Sequence, residues 1–351
     1  MEEIEEYRKW LEKFKLRRNP FTLEINPDLF VGYREQISKL LKNIEQRQKL
    51  ILLSGPTGSG KTTIISYLTR KSKDFIYLSK PPREIADLLD LADYFIRDLG
   101  FLRKIFLKKP KKINDLPEFL NKIIKKPKVL FIDETHEASV EVLEWIRVLV
   151  DHVRNLTIVF SALPVFEEIL TEKLETLKKR ITEKIELNAL TREEVEELIR
   201  KRITYAGGED IKPFTYNIVD YIYNRTGGFP RDVILLCNRL LNLGAEKNLE
   251  FIGVNVLDKE EKPKENLKIE NLKELPEKQR LLINIIAEKE PVTPNEMVKH
   301  FKEYPSEKHA LRAINNLLGR LIKQGYVERE KIGKTYAYKL TPYTRTILIK
   351  A

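Results

Sequence analysis

Two short stretches hold residues that could act on a phosphoanhydride. Gly55-Pro56-Thr57-Gly58-Ser59-Gly60-Lys61-Thr62 places Gly, Gly, Lys and Thr at the spacing GxxxxGK[ST]. The glycines let the backbone wrap a phosphate with successive N–H groups pointing inward. A helix opening at Lys61 would aim its positive dipole end at the same phosphate. Lys61 would reach the β- and γ-phosphates, and the Thr62 hydroxyl would ligate Mg²⁺. Thr63 follows within the same first turn and joins the nucleotide-contacting set.

The second stretch is Val129-Leu-Phe-Ile132 followed by Asp133-Glu134. An apolar strand that ends in two carboxylates, downstream of a phosphate loop, is a Walker B arrangement. Asp133 would hold Mg²⁺, directly or through water. Glu134 would orient or deprotonate the water for in-line hydrolysis. His136, two residues on, reads as a surface residue.

The elements that must position these groups are legible as patterns. Leu50 to Leu53 is a short apolar run, a buried strand ahead of the glycine turn. Helix is expected over Lys61 to about Thr69, 83–100, Asp115 to Lys125 and 139–152. Strands are expected at Phe75 to Leu78, Val129 to Ile132, Leu156 to Phe160 and Ile185 to Leu187. Short apolar strands alternating with helices imply a parallel sheet covered on both faces. After Leu190 the strand signals stop. Thr191-Arg-Glu-Glu194 is a capping box, and helical segments run on to about Ala245. A charged stretch with Pro263 reads as a linker.

Composition bounds the rest. The chain has 351 residues, 42% hydrophobic and 33% charged, with a formal net charge of +11. Abundant Lys, Glu and Ile with one Cys and two Met lean towards a heat-adapted source. The basic balance points to a polyanionic partner without choosing between nucleic acid and a membrane surface. The lone Cys237 and four unclustered His argue against a disulfide framework and a zinc site. Neither a secretory signal nor a span of roughly 20 apolar residues is visible, so a cytoplasmic protein is expected.

With these motifs in place the sequence resembles the AAA+ ATPases. The resemblance is to the branch holding archaeal and eukaryotic origin-recognition and loader initiators, and to bacterial transposition-regulator and secretion-associated ATPases. Asn19-Pro20-Phe21 with Phe30-Val31-Gly-Tyr-Arg34-Glu35 carries it ahead of the phosphate loop, where the family packs this region on the adenine. The resemblance implies a sensor 1 role for Ser161, an arginine finger at Arg180, with Lys179 as a competitor, and a sensor 2 at Arg231 in Thr226-Gly-Gly-Phe-Pro-Arg231. It covers roughly residues 17–250. It implies the P-loop αβα sandwich, with ATP and Mg²⁺ as cofactors and a neighbouring subunit or partner ATPase completing the site.

Residues from Pro276 have their own pattern. A first helix carries Leu281, Leu282, Ile285 and Ile286, and Thr293-Pro294 opens a second. A third runs from Pro305-Ser306 to about Lys323, and Tyr326-Val327 and Tyr336 to Leu340 read as two strands. Three helices and a hairpin make a winged helix, similar to those that end the initiator branch. In that fold the third helix enters the major groove. Its outward residues are Lys308, His309, Arg312, Asn315, Asn316 and Arg320, and Arg and Asn suit guanine and adenine edges. Lys331 and Lys334 on the wing suit phosphates. From residue 276 there are fifteen Lys and Arg against eight Asp and Glu, a net of +7. The basic patch Arg103 to Lys112 is either a second DNA contact or a solvated loop.

The expected organisation is α/β with a helical lid and a terminal winged helix. Its segments are 1–16 an N-terminal helix, 17–188 the nucleotide-binding core, 189–257 the lid, 258–275 a linker and 276–351 the winged helix. The expected role is an initiator-like, duplex-DNA-binding ATPase that uses ATP as a slow switch. A transposition-regulator ATPase assembling on DNA and an ATP-gated transcription regulator stay open beside it. A helicase or a recombinase is the corresponding partner, and no membrane is involved.

Overall fold

The structure, a computed structural model, describes residues 2–97, 107–254, 275–301, 304–332, 335–341, 344–345 and 348. The expected linker lies almost wholly outside the described residues, as do Lys334 and residues 103–106 of the basic patch. The chain divides into two compact units, residues 24–188 and residues 1–23 with 189–351.

The first unit is built on a five-stranded sheet whose strands all pair in parallel. Its elements in chain order begin with α2 (Arg34–Glu45), β1 (Leu50–Ser54), α3 (Lys61–Lys71), β2 (Phe75–Leu78) and α4 (Leu91–Ile96). They continue with α5 (Leu116–Ile123), β3 (Lys128–Ile132), α6 (Val140–His152), β4 (Leu156–Ala162), α7 (Phe166–Lys173), α8 (Glu175–Lys178) and β5 (Glu183–Glu186). The strand order is β2-β3-β4-β1-β5. β1 is buried along its whole length and so is β4, as a sheet covered on both faces requires. Leu52, Leu130, Ile132, Ile146, Leu149, Ile158 and Phe160 share one apolar core with α5 and α6.

Ser139 caps α6, its hydroxyl accepting from the Val142 N–H at 3.3 Å. Such a cap is worth about 1 kcal/mol. The expected helix over 83–100 is broken within its described part, residues 83–97, and residues 98–100 lie outside the described residues. The Asp87 carboxylate accepts from the N–H groups of Arg83 and Glu84 and bends the chain into a turn that competes with helix. A 3-10 segment, Ala86–Asp90, and the short α4 follow.

The second unit holds α1 (Glu2–Lys13), α9 (Arg192–Tyr205), α10 (Tyr216–Thr226) and α11 (Pro230–Glu246). The capping box at Thr191 and Glu194 opens α9. The Trp10 indole donates to the Leu249 carbonyl at 2.8 Å. Asn19 donates to Tyr7 at 2.9 Å and to Asn238 on α11 at 2.8 Å. Phe21 is buried against Phe214, and Arg202 of α9 donates to the carbonyls of Pro20 and Thr22. The Asn19-Pro20-Phe21 segment is therefore bolted to the helices that follow residue 189. Cys237 is buried within α11, and burial pushes its thiol pKa up. Such a thiol stays protonated and packs as an apolar group.

The same unit ends in α12 (Glu277–Glu288), α13 (Pro294–Met297), α14 (Glu307–Gln324) and the antiparallel pair β6 (Val327–Ile332) and β7 (Thr335–Leu340). This is a winged helix. Leu282, Ile286, Ile314, Leu318 and Leu321 close its core. Gly325 stops α14 at a φ of 83°, a left-handed conformation natural to glycine. Arg345 ties the winged helix to α11. Its Nη1 lies 2.8 Å from Asp232 Oδ2, and its Nε lies 2.5 Å from Glu290 Oε1. Among the described residues no helix is long and apolar enough to cross a membrane.

Candidate functional site

β1 runs straight into the glycine turn, and α3 begins where the turn ends. Gly58 and Gly60 sit at φ of 81° and 97°, which a side chain would strain. A Cβ on Gly55 would come within 2.8 Å of Ser59 Oγ and 3.1 Å of the Leu187 carbonyl. These constraints fix the turn that leads into α3, whose N-terminus opens at Lys61 directly after Gly60, where the free N–H groups of a helix start favour an anion. Lys61 is buried, and its Nζ donates to the carbonyls of Gly55 at 2.7 Å and Pro56 at 3.1 Å. Burial lowers its pKa, and the carboxylates of Glu134 and Asp133 oppose that shift. Ser59 Oγ is buried and meets no hydrogen-bond partner among the described residues.

Asp133 stands at the end of β3 and is almost fully buried. Its Oδ2 accepts from Thr62 Oγ1 at 2.7 Å and from Tyr77 OH at 3.2 Å. Its Oδ1 accepts from Ser161 Oγ at 2.5 Å and from the Glu134 N–H at 3.0 Å. One carboxylate thus gathers the phosphate loop, β2, β4 and its own strand end. Thr62 and Asp133, 71 residues apart in sequence, meet where a Mg²⁺ ion would need hard oxygen ligands. The donor set suits that ion.

Glu134 leaves the strand with φ 50° and ψ 37°, a left-handed turn uncommon for a residue with a side chain. Its carboxylate is partly exposed and lies 3.5 Å from His136 Nε2. Val31 is buried, Thr57 is exposed, and Pro56 and Thr63 are half-buried.

Other anticipated residues are held elsewhere. Arg180 follows α8, where its Nε donates to Asp151 at 2.6 Å and its Nη1 to the Thr176 carbonyl at 2.7 Å. The Asp151 hydrogen bond raises the guanidinium pKa further. Lys179 pairs with Glu175 at 2.7 Å on the same exposed surface. Arg231 is exposed in the first turn of α11, in the other unit. On α14, Lys308, His309, Arg312, Asn315, Asn316 and Arg320 are all exposed, and so is Lys331 on β6. Lys108, Lys111 and Lys112 of the basic patch are exposed, while Lys109 pairs with Asp93.

Three site residues escape sequence reasoning. Tyr33 packs beside Gly60, and its hydroxyl lies 2.6 Å from the Ser59 carbonyl and 2.7 Å from that of Asn188. Its only signal was its place in the Phe30 to Glu35 stretch. Tyr77 reaches Asp133, and burial followed by that carboxylate pushes its phenol pKa well up, keeping it a neutral donor. No pattern marks it beyond its place on β2. His136 is half-buried rather than a surface residue, with Nε2 3.5 Å from Glu134 Oε2.

Residues 44–170 match the AAA domain family, and residues 275–345 match the penicillinase repressor family. An uncharacterised HTH-type transcriptional regulator of Methanocaldococcus jannaschii is 24% identical over 97% of this chain and 94% of its own length. The ORC1-type DNA replication protein 9 of Halobacterium salinarum is 21% identical over 90% of this chain and 89% of its own. Among solved structures, the ORC2 protein of Aeropyrum pernix superposes with a TM-score of 0.51 at 13% identity, covering 95% of this chain and 97% of that one.

Proposed function

We propose that this chain, an origin-recognition/Cdc6-like AAA+ protein ending in a winged helix, binds duplex DNA under the control of ATP binding and hydrolysis. The observation that carries the reading is the meeting of Thr62 with Asp133 beside the glycine cradle, in a chain whose α14 offers Arg312, Asn315, Asn316 and Arg320 to a groove.

Gly55 to Gly60 and the start of α3 would cradle the phosphates, with Lys61 beside the β- and γ-phosphates. Lys61 would exchange its loop carbonyls for phosphate oxygens, a stronger charge-assisted contact. Thr62 and Asp133 would hold Mg²⁺, which offsets phosphate charge when bound. Glu134 would accept a proton from water as the water oxygen attacks the γ-phosphorus. The bond to the bridging oxygen then breaks and ADP leaves. Ser161 acts by orienting Asp133. Arg180 from a neighbouring chain and Arg231 would respond to the γ-phosphate, and a chain without that neighbour's arginine would turn over slowly, so hydrolysis can serve as a switch.

The role nearest this reading is that of a replication initiator, in keeping with the ORC1-type relative. An ATP-gated transcription regulator is the second reading, favoured by the HTH-type transcriptional regulator aligned along 97% of the chain. A gel shift tests the switch. Wild-type protein should change its DNA affinity between ATP and ADP, and Glu134→Gln should lock the ATP-bound behaviour. No nucleotide dependence in either protein would sink the proposal. Sequencing DNA recovered with the protein and ATP separates the roles, because an initiator enriches origin loci and a regulator enriches promoters. Uniform, ATP-dependent recovery would instead favour the transposition-regulator type of ATPase.

A further inference from the structure

Glu134 must present one carboxylate oxygen to water, yet its side chain stands partly exposed on a left-handed turn. A free carboxylate there rotates, and a base that rotates is aimed only part of the time. Among the described residues His136 is the charged or polar side chain paired with it, Nε2 to Oε2 at 3.5 Å, while Lys61 and Tyr77 feel its charge from farther off. Glu134 and His136 are joined through a single 3-10 turn, Thr135–Glu137, which the Thr135 hydroxyl pins by donating to the Ile132 carbonyl at 2.7 Å. Across that turn the His136 ring and the Glu134 carboxylate approach to 3.5 Å.

The imidazole's protonation follows from its surroundings. Nδ1 is buried and meets no partner among the described residues. An orphaned buried N–H costs more than a bare acceptor nitrogen, so the proton of the neutral ring belongs on Nε2. Nε2 is the atom that faces Glu134 Oε2, at 3.5 Å. Burial also lowers the His136 pKa, against the opposing pull of Glu134 and Glu137. A neutral donor can aim a carboxylate without stripping its basicity, as a cation would. The 3.5 Å separation is loose for a hydrogen bond, and catalytic contacts of this kind often tighten when substrate is bound.

We infer that His136 is the positioning residue for Glu134, its Nε2–H holding Oε2 so that the other carboxylate oxygen faces the attacking water. This rests on the reading of Glu134 as the general base.

The test is steady-state ATP hydrolysis by the full chain, with nucleotide affinity measured separately by fluorescent ATP binding. Three variants are compared: His136→Ala, His136→Gln and Glu134→Gln. Gln can bring an amide N–H close to the place of Nε2, whereas Ala cannot. His136→Ala should lower kcat about tenfold, the scale of orienting contacts, with KM and ATP affinity unchanged. His136→Gln should recover most of that loss. Wild-type kcat in His136→Ala, with Glu134→Gln inactive, would overturn the inference and leave the base assignment standing. An equal loss in the Ala and Gln variants, or a loss carried by KM, would overturn it in favour of a packing role. Full activity in Glu134→Gln would fail the base assignment itself, and this inference with it.

Discussion

Ser161 Oγ donates to Asp133 Oδ1 at 2.5 Å, joining the ends of two neighbouring strands that lie 28 residues apart in sequence. The bond exists because β4 lies between β1 and β3, in register such that Ile132 pairs with Phe160 and Leu53 with Ser161. Ser161 therefore meets the first residue beyond β3. Its hydroxyl is spent on a carboxylate rather than offered to solvent, and both groups are buried.

Ser161→Ala should loosen that carboxylate. Hydrogen bonds to charged groups contribute about 1.5–3 kcal/mol. The Mg²⁺ concentration for half-maximal ATP hydrolysis should rise by about tenfold or more, while DNA binding without nucleotide stays the same. A Mg²⁺ titration of ATPase rate checks this, and an unchanged midpoint would mean that Ser161 does not orient Asp133.

Tyr33→Phe removes the hydroxyl that reaches both the Ser59 and Asn188 carbonyls. A neutral hydrogen bond is worth about 0.5–1.5 kcal/mol. ATP affinity should weaken by a factor of roughly two to ten, with kcat at saturation little changed. Calorimetric titration with a slowly hydrolysed ATP analogue reads the difference.

Gly228→Ala should damage the helices after residue 189. The glycine sits at φ 77°, and an added Cβ would stand 2.2 Å from the Leu190 carbonyl oxygen. Backbone cannot yield as a flexible side chain can, so a loss of more than about 2 kcal/mol is expected. Thermal melting should show it, and a melting curve like that of the wild type would contradict the geometry.

Arg345→Ala should leave Glu290 buried without its cation. Breaking such a pair costs about 3–5 kcal/mol. Burial already raises the Glu290 pKa, and Arg345 opposes that rise. A carboxyl whose folded pKa is raised favours the fold most when protonated, and that advantage is lost as pH rises through the folded value. Removing Arg345 raises the folded pKa further. The deficit of the variant against wild type should thus be larger near pH 8 than near pH 5, as denaturant melts at the two pH values would reveal. A larger deficit at the lower pH would contradict the assignment.

Arg312→Ala should weaken specific DNA binding by about 1–3 kcal/mol without lowering stability, since the side chain is exposed. Lys331→Ala should weaken all sequences alike and reduce the salt slope by about one. Gel shifts at several salt concentrations separate the two, and identical behaviour would argue against a division between groove and backbone contacts.

The chemistry of the nucleotide site was legible because it is local. Gly58, Gly60, Lys61 and Thr62 occupy consecutive turns of backbone, and Asp133 and Glu134 end an apolar run, so spacing alone carried them. The winged helix was legible for the same reason, with Ser306 opening α14 and Gly325 closing it. Tyr77, Tyr33 and His136 were not. Each earns its place through a partner on another strand or across a turn, and no periodicity encodes a partner.

The residue order by itself determined the buried strands β1, β3 and β4 and where the phosphate loop, the carboxylate pair and the third helix fall. Those depend on hydrophobic period and on backbone preferences of Gly, Pro and capping residues, which act over a few positions. β5 instead runs over Glu183–Glu186, two residues ahead of the apolar signal at Ile185 to Leu187, and is largely not buried. Only the tertiary structure decided that β4 separates β1 from β3, that Asp133 accepts from four donors, and that Arg180 pairs with Asp151. It also decided that Asn19-Pro20-Phe21 is held by α9 and α11. The reason is physical. Strand order and long-range hydrogen bonds are selected by which faces can be buried together, and that selection belongs to the whole packed core rather than to any stretch of the chain.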